Sequence, residues 1–325
     1  MMNYIYGPVP SRRLGQSLGV DPIPFKSCNY NCVYCQLGRT IPLTNKRKVF
    51  LPPQNILAEL QMALDANKKS QIDYITFVGQ GEPLLCASVG QLIRGAKALT
   101  DIPIAVITNG SLLYIPEVGE AIHAADVVIP TLDAGDEETF HRINRPWPKL
   151  HINEIIEGME TFREMFKGQL WVEVMLVKGL NDTEEALSNI ARALRRIQPD
   201  QVHLNIPIRP PAEAWVEIPD NESLIRATTI LGTVAAIVTS AEGYFGLTDN
   251  MSVVDAIVKI IRRHPMRETE LLENLRRFIK QPDQVQKTLE ALEASGQARR
   301  HIYQGQVFWE YAGGRFASIT KQKGI

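Results

Sequence analysis

The sequence is short of cysteine, of long apolar runs and of net charge, and each shortage excludes something. No apolar stretch approaches the roughly 20 residues that a membrane-spanning helix needs, so no membrane partner is expected. Four cysteines in 325 residues are too few for a disulfide framework. No apolar signal-like segment points to an oxidising compartment, so a reducing cytoplasm is expected. The formal net charge is only −1, but it hides an asymmetry. Residues 252–325 carry 13 Lys/Arg against 8 Asp/Glu, while residues 1–251 carry 22 against 28. A mildly basic tail on an acidic body hints at a polyanionic partner.

Three of the four cysteines stand together. Cys28, Cys32 and Cys35 lie in Lys26-Ser-Cys-Asn-Tyr-Asn-Cys-Val-Tyr-Cys-Gln-Leu-Gly38. Thiolates at that spacing can hold three irons of a cubane [4Fe–4S] cluster and leave the fourth open to an outside ligand, whereas an electron-transfer cluster normally takes four cysteines. The competing assignment is a structural zinc site, which wants four ligands in closed tetrahedral geometry. Cys86 lies some fifty residues on and no histidine falls within the cysteine loop.

Strand-like and helix-like segments alternate from residue 16 to about 240. Strands are expected at Ser17–Asp21, Ile72–Val78, Ile104–Ile107, Val127–Ile129, Leu170–Val177 and Val202–Asn205. Helices are expected after Pro52-Pro53 and over Leu92–Leu99, His151–Phe166 and Glu184–Ile197. Such alternation implies parallel pairing with right-handed crossovers. From about residue 252 the pattern changes to three helices, Val253–Ile261, Glu268–Phe278 and Asp283–Ala294, and a hairpin, Ala298–Tyr303 with Gln306–Tyr311. That is the order of a winged-helix module. The expected domains are residues 1–250 and 251–325, with a frayed tail at Lys321–Ile325.

The cysteine spacing and its place after the first expected strand resemble the radical S-adenosylmethionine (SAM) superfamily. The resemblance implies an α/β fold, a (β/α)6 partial TIM barrel, with chemistry at the C-terminal ends of the strands. It implies two cofactors, a [4Fe–4S] cluster and SAM, with Cys28, Cys32 and Cys35 as the iron ligands. Gly81-Glu82-Pro83 resembles the motif whose backbone binds the SAM amino group. Tyr34 stands where an aromatic packs near the adenine. Thr108, Asn109 and Asp133 resemble the polar strand-end residues that hold the methionyl carboxylate and ribose hydroxyls, and Asn205 ends the sixth strand. The activity implied is reductive cleavage of SAM to a 5′-deoxyadenosyl radical that takes hydrogen from a substrate, with a flavodoxin- or ferredoxin-type electron donor.

The string Tyr6-Gly-Pro-Val-Pro-Ser-Arg-Arg-Leu-Gly-Gln-Ser-Leu-Gly-Val-Asp21, with Thr131-Leu-Asp-Ala, Arg142-Ile-Asn-Arg-Pro146 and Asn205-Ile-Pro-Ile-Arg-Pro-Pro211, resembles the branch containing the wyosine-base synthases of tRNA. This chain lacks the upstream cysteines that hold a second cluster there, so one cluster and a different reaction are expected. A nucleoside in RNA is the first expected substrate and a protein or peptide the second; a non-catalytic Fe–S sensor is the third alternative. Arg12, Arg13, Arg142, Arg145 and Arg209 would form an anion site if they converged on the barrel mouth. In the third C-terminal helix, Lys287 stands against Asp283, Glu290 and Glu293, a charge that disfavours ordinary duplex reading.

Overall fold

The computed structural model describes residues 4–67, 71–232, 235–237, 245, 252–276 and 283–316. The chain divides into two compact units. The first comprises Met1–Asn31, Thr40–Ile206 and Ile218–Gly246; the second comprises Cys32–Arg39, Pro207–Glu217 and Leu247–Ile325.

The first unit is built on β1 (Ile5–Ser11), β2 (Gly15–Val20), β3 (Tyr74–Phe77), β4 (Ile104–Thr108), β5 (Val127–Pro130), β6 (Gln169–Met175), β7 (Gln201–Asn205) and β8 (Ala235–Ile237). Spatial order equals sequence order; β1 and β2 pair antiparallel, and β2 to β8 run parallel. Parallel neighbours require a crossover, and helices supply it: α1 (Pro53–Ala66), α2 (Val89–Leu99), α3 (Pro116–Ile122), α4 (Glu137–Ile143), α5 (Ile152–Met165), α6 (Glu184–Ile197) and α7 (Asn221–Leu231). All four residues of β5, Val-Val-Ile-Pro, are buried, as expected of a strand covered on both faces. Helix α6 shows why these segments are helical. Thr183 caps its N-terminus by accepting from the Ala186 N–H, Glu184 and Glu185 sit in its first turn, and Arg195 and Arg196 in its last. Its buried stripe runs Leu187, Ile190, Ala191, Leu194 and Ile197.

The six expected strand–helix units are present as β2 to β7 with the helices that follow them. The sheet extends beyond them at both edges, by the antiparallel β1 and by a seventh parallel strand, β8. Residue alternation gives the sheet an inner face, where Leu14, Ala105, Val127, Ile129 and Trp171 form one apolar cluster with Tyr74 and Ile107 packed against it.

The second unit contains α8 (Val253–Ile261), β9 (Met266–Arg267), α9 (Glu268–Leu275), α10 (Gln284–Ala294), β10 (Ala298–Tyr303) and β11 (Gln306–Tyr311). Its small antiparallel sheet has the order β10-β11-β9. Gln304 and Gly305, at φ 51° and 71°, make the two-residue hairpin turn that matches strand twist. Ile257, Ile260, Leu271, Val285, Leu289, Phe308 and Trp309 form its core. Two segments remote in sequence belong to this unit. Arg39 makes a bidentate pair with Glu213 (2.8 and 2.7 Å), and the Tyr303 hydroxyl donates to the Pro207 carbonyl (2.6 Å). The C-terminal end of the expected helix Glu268–Phe278, the boundary at residue 250 and the tail Lys321–Ile325 lie outside the described residues.

Candidate active site

The polar residues singled out in the sequence fall at strand ends. Gly81-Glu82-Pro83 follows β3, Thr108 ends β4 and is followed by Asn109, Asp133 follows β5, and Asn205 ends β7. Glu82 organises the first of these ends. It is 1% exposed, and one carboxylate oxygen accepts from the Leu84 N–H (2.9 Å) and the Thr108 hydroxyl (2.6 Å). The other accepts from the Asn109 N–H (2.7 Å). Burial pushes the Glu82 carboxyl up to about 7, with these three donors pulling the other way. Thr108 in turn accepts from the Gly110 N–H.

The network continues to the cysteine loop. The Asn109 amide donates to Asn29 Oδ1 (2.7 Å) and to the sulfur of Cys28 (3.8 Å). Ser111 donates to Asn109 Oδ1 (2.6 Å) and receives from Asn29 Nδ2 (2.7 Å). A second N–H, that of Tyr30, points at Cys28 Sγ (3.4 Å). The loop is also stitched to the β3 end through the backbone. Lys26 N–H donates to the Gln80 carbonyl and Glu82 N–H to that of Ser27. Gly81 is glycine because a Cβ there would collide with the Ser27 carbonyl oxygen. On its other side, Tyr30 bridges Pro146, Trp147 N–H donates to the Asn29 carbonyl, and Asn31 N–H to those of Asn144 and Arg145. The Arg142–Pro146 motif is therefore an anchor for the cysteine loop.

Cys32 and Cys35 belong to the second unit, where Cys35 N–H donates to the Cys32 carbonyl (3.2 Å) and Gly38 N–H to that of Cys35 (3.0 Å). Tyr34 between them is half-buried. None of the four cysteines is in a disulfide; Cys86 is buried and the other three are partly buried. Among the described residues no three of His, Cys, Asp and Glu are gathered as ligands of a single metal ion.

Asp133 is 2% exposed, and its two oxygens accept from the Met175 N–H (2.8 Å) and the Asn144 amide (2.7 Å). It ties the β5 end to β6 and to the loop anchor. Asn205 donates to Glu173, which also accepts from Arg13. Arg12 and Arg13 share one acidic neighbour within the first unit. Arg13 reaches Glu173, and Arg12 is close enough to both for their charges to act on it. Arg142 stands beside Glu138 on α4 (3.6 Å), and Arg209 donates to Gln36 in the second unit. Sequence reasoning missed Glu173, a lone acidic residue inside an apolar strand; that irregularity was its only signal.

The residue types suit an iron–sulfur cluster: three cysteines close in sequence offer soft sulfur donors, and Cys28 receives two N–H groups of the kind that tune cluster potential. The family model of the radical SAM superfamily matches residues 23–193, and the chain belongs to that superfamily. It is a radical SAM enzyme, and the cofactors of its class are a [4Fe–4S] cluster and SAM. More particularly, it is similar to the UPF0026 proteins. It is 36% identical to one from Methanocaldococcus jannaschii over 95% of this chain and 96% of the relative. It is 38% identical to one from Helicobacter pylori over 68% and 71%. A radical SAM methyltransferase from Sphaerobacter thermophilus shares the fold, with a TM-score of 0.50 at 20% identity over 68% of this chain and 66% of that one.

Proposed function

We propose that Cys28, Cys32 and Cys35 hold the cluster and that this enzyme modifies a nucleoside in RNA, with tRNA the first candidate. When bound, the cluster and SAM together supply a 5′-deoxyadenosyl radical able to take hydrogen from carbon. The chain's own residues have separate tasks. Asn109 and the Tyr30 N–H point donors at the Cys28 sulfur. Glu82 fixes the β4 end relative to the β3 end, so that the backbone of 80–83 is held for an ammonium group. Tyr34, Thr108 and Asp133 complete the SAM-facing set, while the Asn205 amide is given to Glu173. A flavodoxin- or ferredoxin-type donor supplies the electron.

The observation that carries the RNA reading is the basic surface of the C-terminal module. Helix, strand, two helices and hairpin follow the winged-helix order. Its third helix has Lys287 paired to Asp283, leaving Glu290 and Glu293 uncompensated within it. Further exposed cations sit on the hairpin, at Arg299 and Arg300, at the ends of α8 and α9, at Arg262 and Arg276, and after the hairpin, at Arg315. We read this as contact with phosphates through the wing rather than groove reading by a helix. Arg277, in the same basic group, lies outside the described residues. The test is RNA binding against salt concentration. Affinity should fall steeply with salt, and Arg300→Ala should lower the log–log slope by about one phosphate contact. Binding indifferent to salt would reject the reading.

One observation favours the second reading, a protein or peptide substrate. An open groove of about 640 Å³ between α8 and α10 is lined by Val254, Thr288, Ala291, Leu292 and Gln297. Recovery of a single polypeptide with the purified enzyme, free of RNA, would select it.

A further inference from the structure

The inner face of the first unit carries a second polar cluster, away from the Glu82 network. Trp171 and Glu173 alternate onto the same face of β6, and Trp171 belongs to the apolar cluster of that face. Glu173 accepts from Arg13 Nη1 and Asn205 Nδ2. The His203 ring stands edge-on to Trp171, with centroids 5.5 Å apart. Around this centre five buried polar atoms make no hydrogen bond: Arg12 Nη1, Arg13 Nε, Trp171 Nε1, His203 Nδ1 and Asn205 Oδ1. Trp171, His203 and Asn205 are 9%, 8% and 3% exposed.

Each such orphan carries a desolvation cost, and a native interior holds only a few per hundred residues. Five around one ion pair is a concentration that packing does not explain. The charges do not balance either. Two guanidiniums face one carboxylate, and burial followed by the Arg13 charge holds His203 below the usual imidazole range, hence neutral near pH 7. Among the described residues the cluster is one negative charge short. Its orphans are also of two kinds. Arg12, Arg13 and Trp171 offer donors. Asn205 Oδ1 is an acceptor, and so is His203 Nδ1, because His203 Nε2 must donate to Gln201 Oε1 (3.0 Å).

We propose that this cluster binds a small oxyanion, a carboxylate or phosphate group, on a ligand that also carries a hydroxyl or amino hydrogen. The guanidiniums and the indole N–H take the anionic oxygens, as arginine does in bidentate recognition. Asn205 and His203 take the ligand's hydrogen. The site goes beyond the RNA reading and needs neither cluster nor SAM, so it can be tested independently of both.

The test uses the full chain and calorimetric titration with inorganic phosphate, glycolate, acetate and SAM, at ionic strength matched with sodium chloride. The expected result is saturable binding of phosphate or of glycolate, with glycolate exceeding acetate because only glycolate carries the hydroxyl. Phosphate alone identifies a phosphate ligand, and glycolate alone a carboxylate. Arg12→Gln should weaken the bound probe about tenfold or more. Trp171→Phe keeps the packing, removes one donor and should weaken it a few-fold, which keeps the test open should Arg12→Gln not fold. Saturation by SAM alone, no binding above the chloride control, or unchanged affinity in both variants would overturn the proposal.

Discussion

Two polar clusters lie within the first unit, and they are built in opposite ways. Around Glu82, each carboxylate oxygen has its donor, Thr108 both gives and receives, and Asn109, itself bonded to Ser111 and Asn29, carries the network to the Cys28 sulfur. Around Glu173, one oxygen collects Arg13 and Asn205 while five neighbouring polar atoms go unmatched. A closed network is a frame, since it specifies one geometry and holds it. An open one is held ready for something that completes it. The first cluster positions the cysteine loop; the second is where a ligand's own polar atoms have places waiting.

The comparison can be broken by changing one carboxylate at a time. The largest effect is expected from Glu173→Ala. It strips the counter-charge from two inward-facing guanidiniums and leaves Asn205 Nδ2 without its acceptor, a loss of about 3–5 kcal/mol in urea unfolding of the first unit. A loss below about 1 kcal/mol would mean that water already reaches the cluster. Glu82→Gln comes next, at about 1–3 kcal/mol. An amide has one acceptor atom where the carboxylate has two, so its NH2 must face the Asn109 N–H or the Thr108 and Leu84 donors.

The pH dependence sharpens the contrast further. Because burial raises the Glu82 carboxyl to about 7, the folded state holds its proton more tightly than the unfolded state. Its contribution is therefore most favourable below about pH 4.5, declines as pH rises toward 7 and is flat above. Glu310 on β11 is raised to about 7 by burial as well, but neither of its oxygens is hydrogen-bonded, and Arg299 stays 3.7 Å away. The smallest effect, with the opposite sign, is expected there. Glu310→Gln should raise the stability of the second unit by about 1 kcal/mol at pH 8 and leave it nearly unchanged at pH 5. Thermal melts of both Gln variants at the two pH values check this. Destabilisation by Glu310→Gln at pH 8 would show that the Arg299 attraction outweighs burial.

Much of this architecture could be read from local pattern. The strand ends near Phe77, Thr108 and Asn205 were marked by apolar runs stopping at Gly, Asn or Pro, and the caps and charges of α6 by its own residues. Strand β1 was not legible as a strand, because Pro8 and Pro10 interrupt it; it lies on a sheet edge, where missing donors are tolerated. What escaped the sequence altogether was long-range pairing. Arg13 and Glu173 stand 160 residues apart, Arg39 and Glu213 174, and Tyr303 and Pro207 96. Glu82 shows the same limit on a small scale. The motif reading assigned its segment to an ammonium group, while the side chain is committed to Thr108, Asn109 and Leu84.

Cluster ligation by Cys28, Cys32 and Cys35, and with it SAM cleavage, is open to one decisive measurement. It is tested most directly by anaerobic reconstitution of single Ala variants of Cys28, Cys32, Cys35 and Cys86, with iron counted and 5′-deoxyadenosine measured after reduction. About four irons per chain and deoxyadenosine formation are expected in the wild type and in Cys86→Ala, with loss of deoxyadenosine in each of the other three. Full activity in any of those three, or cluster loss in Cys86→Ala alone, would contradict it.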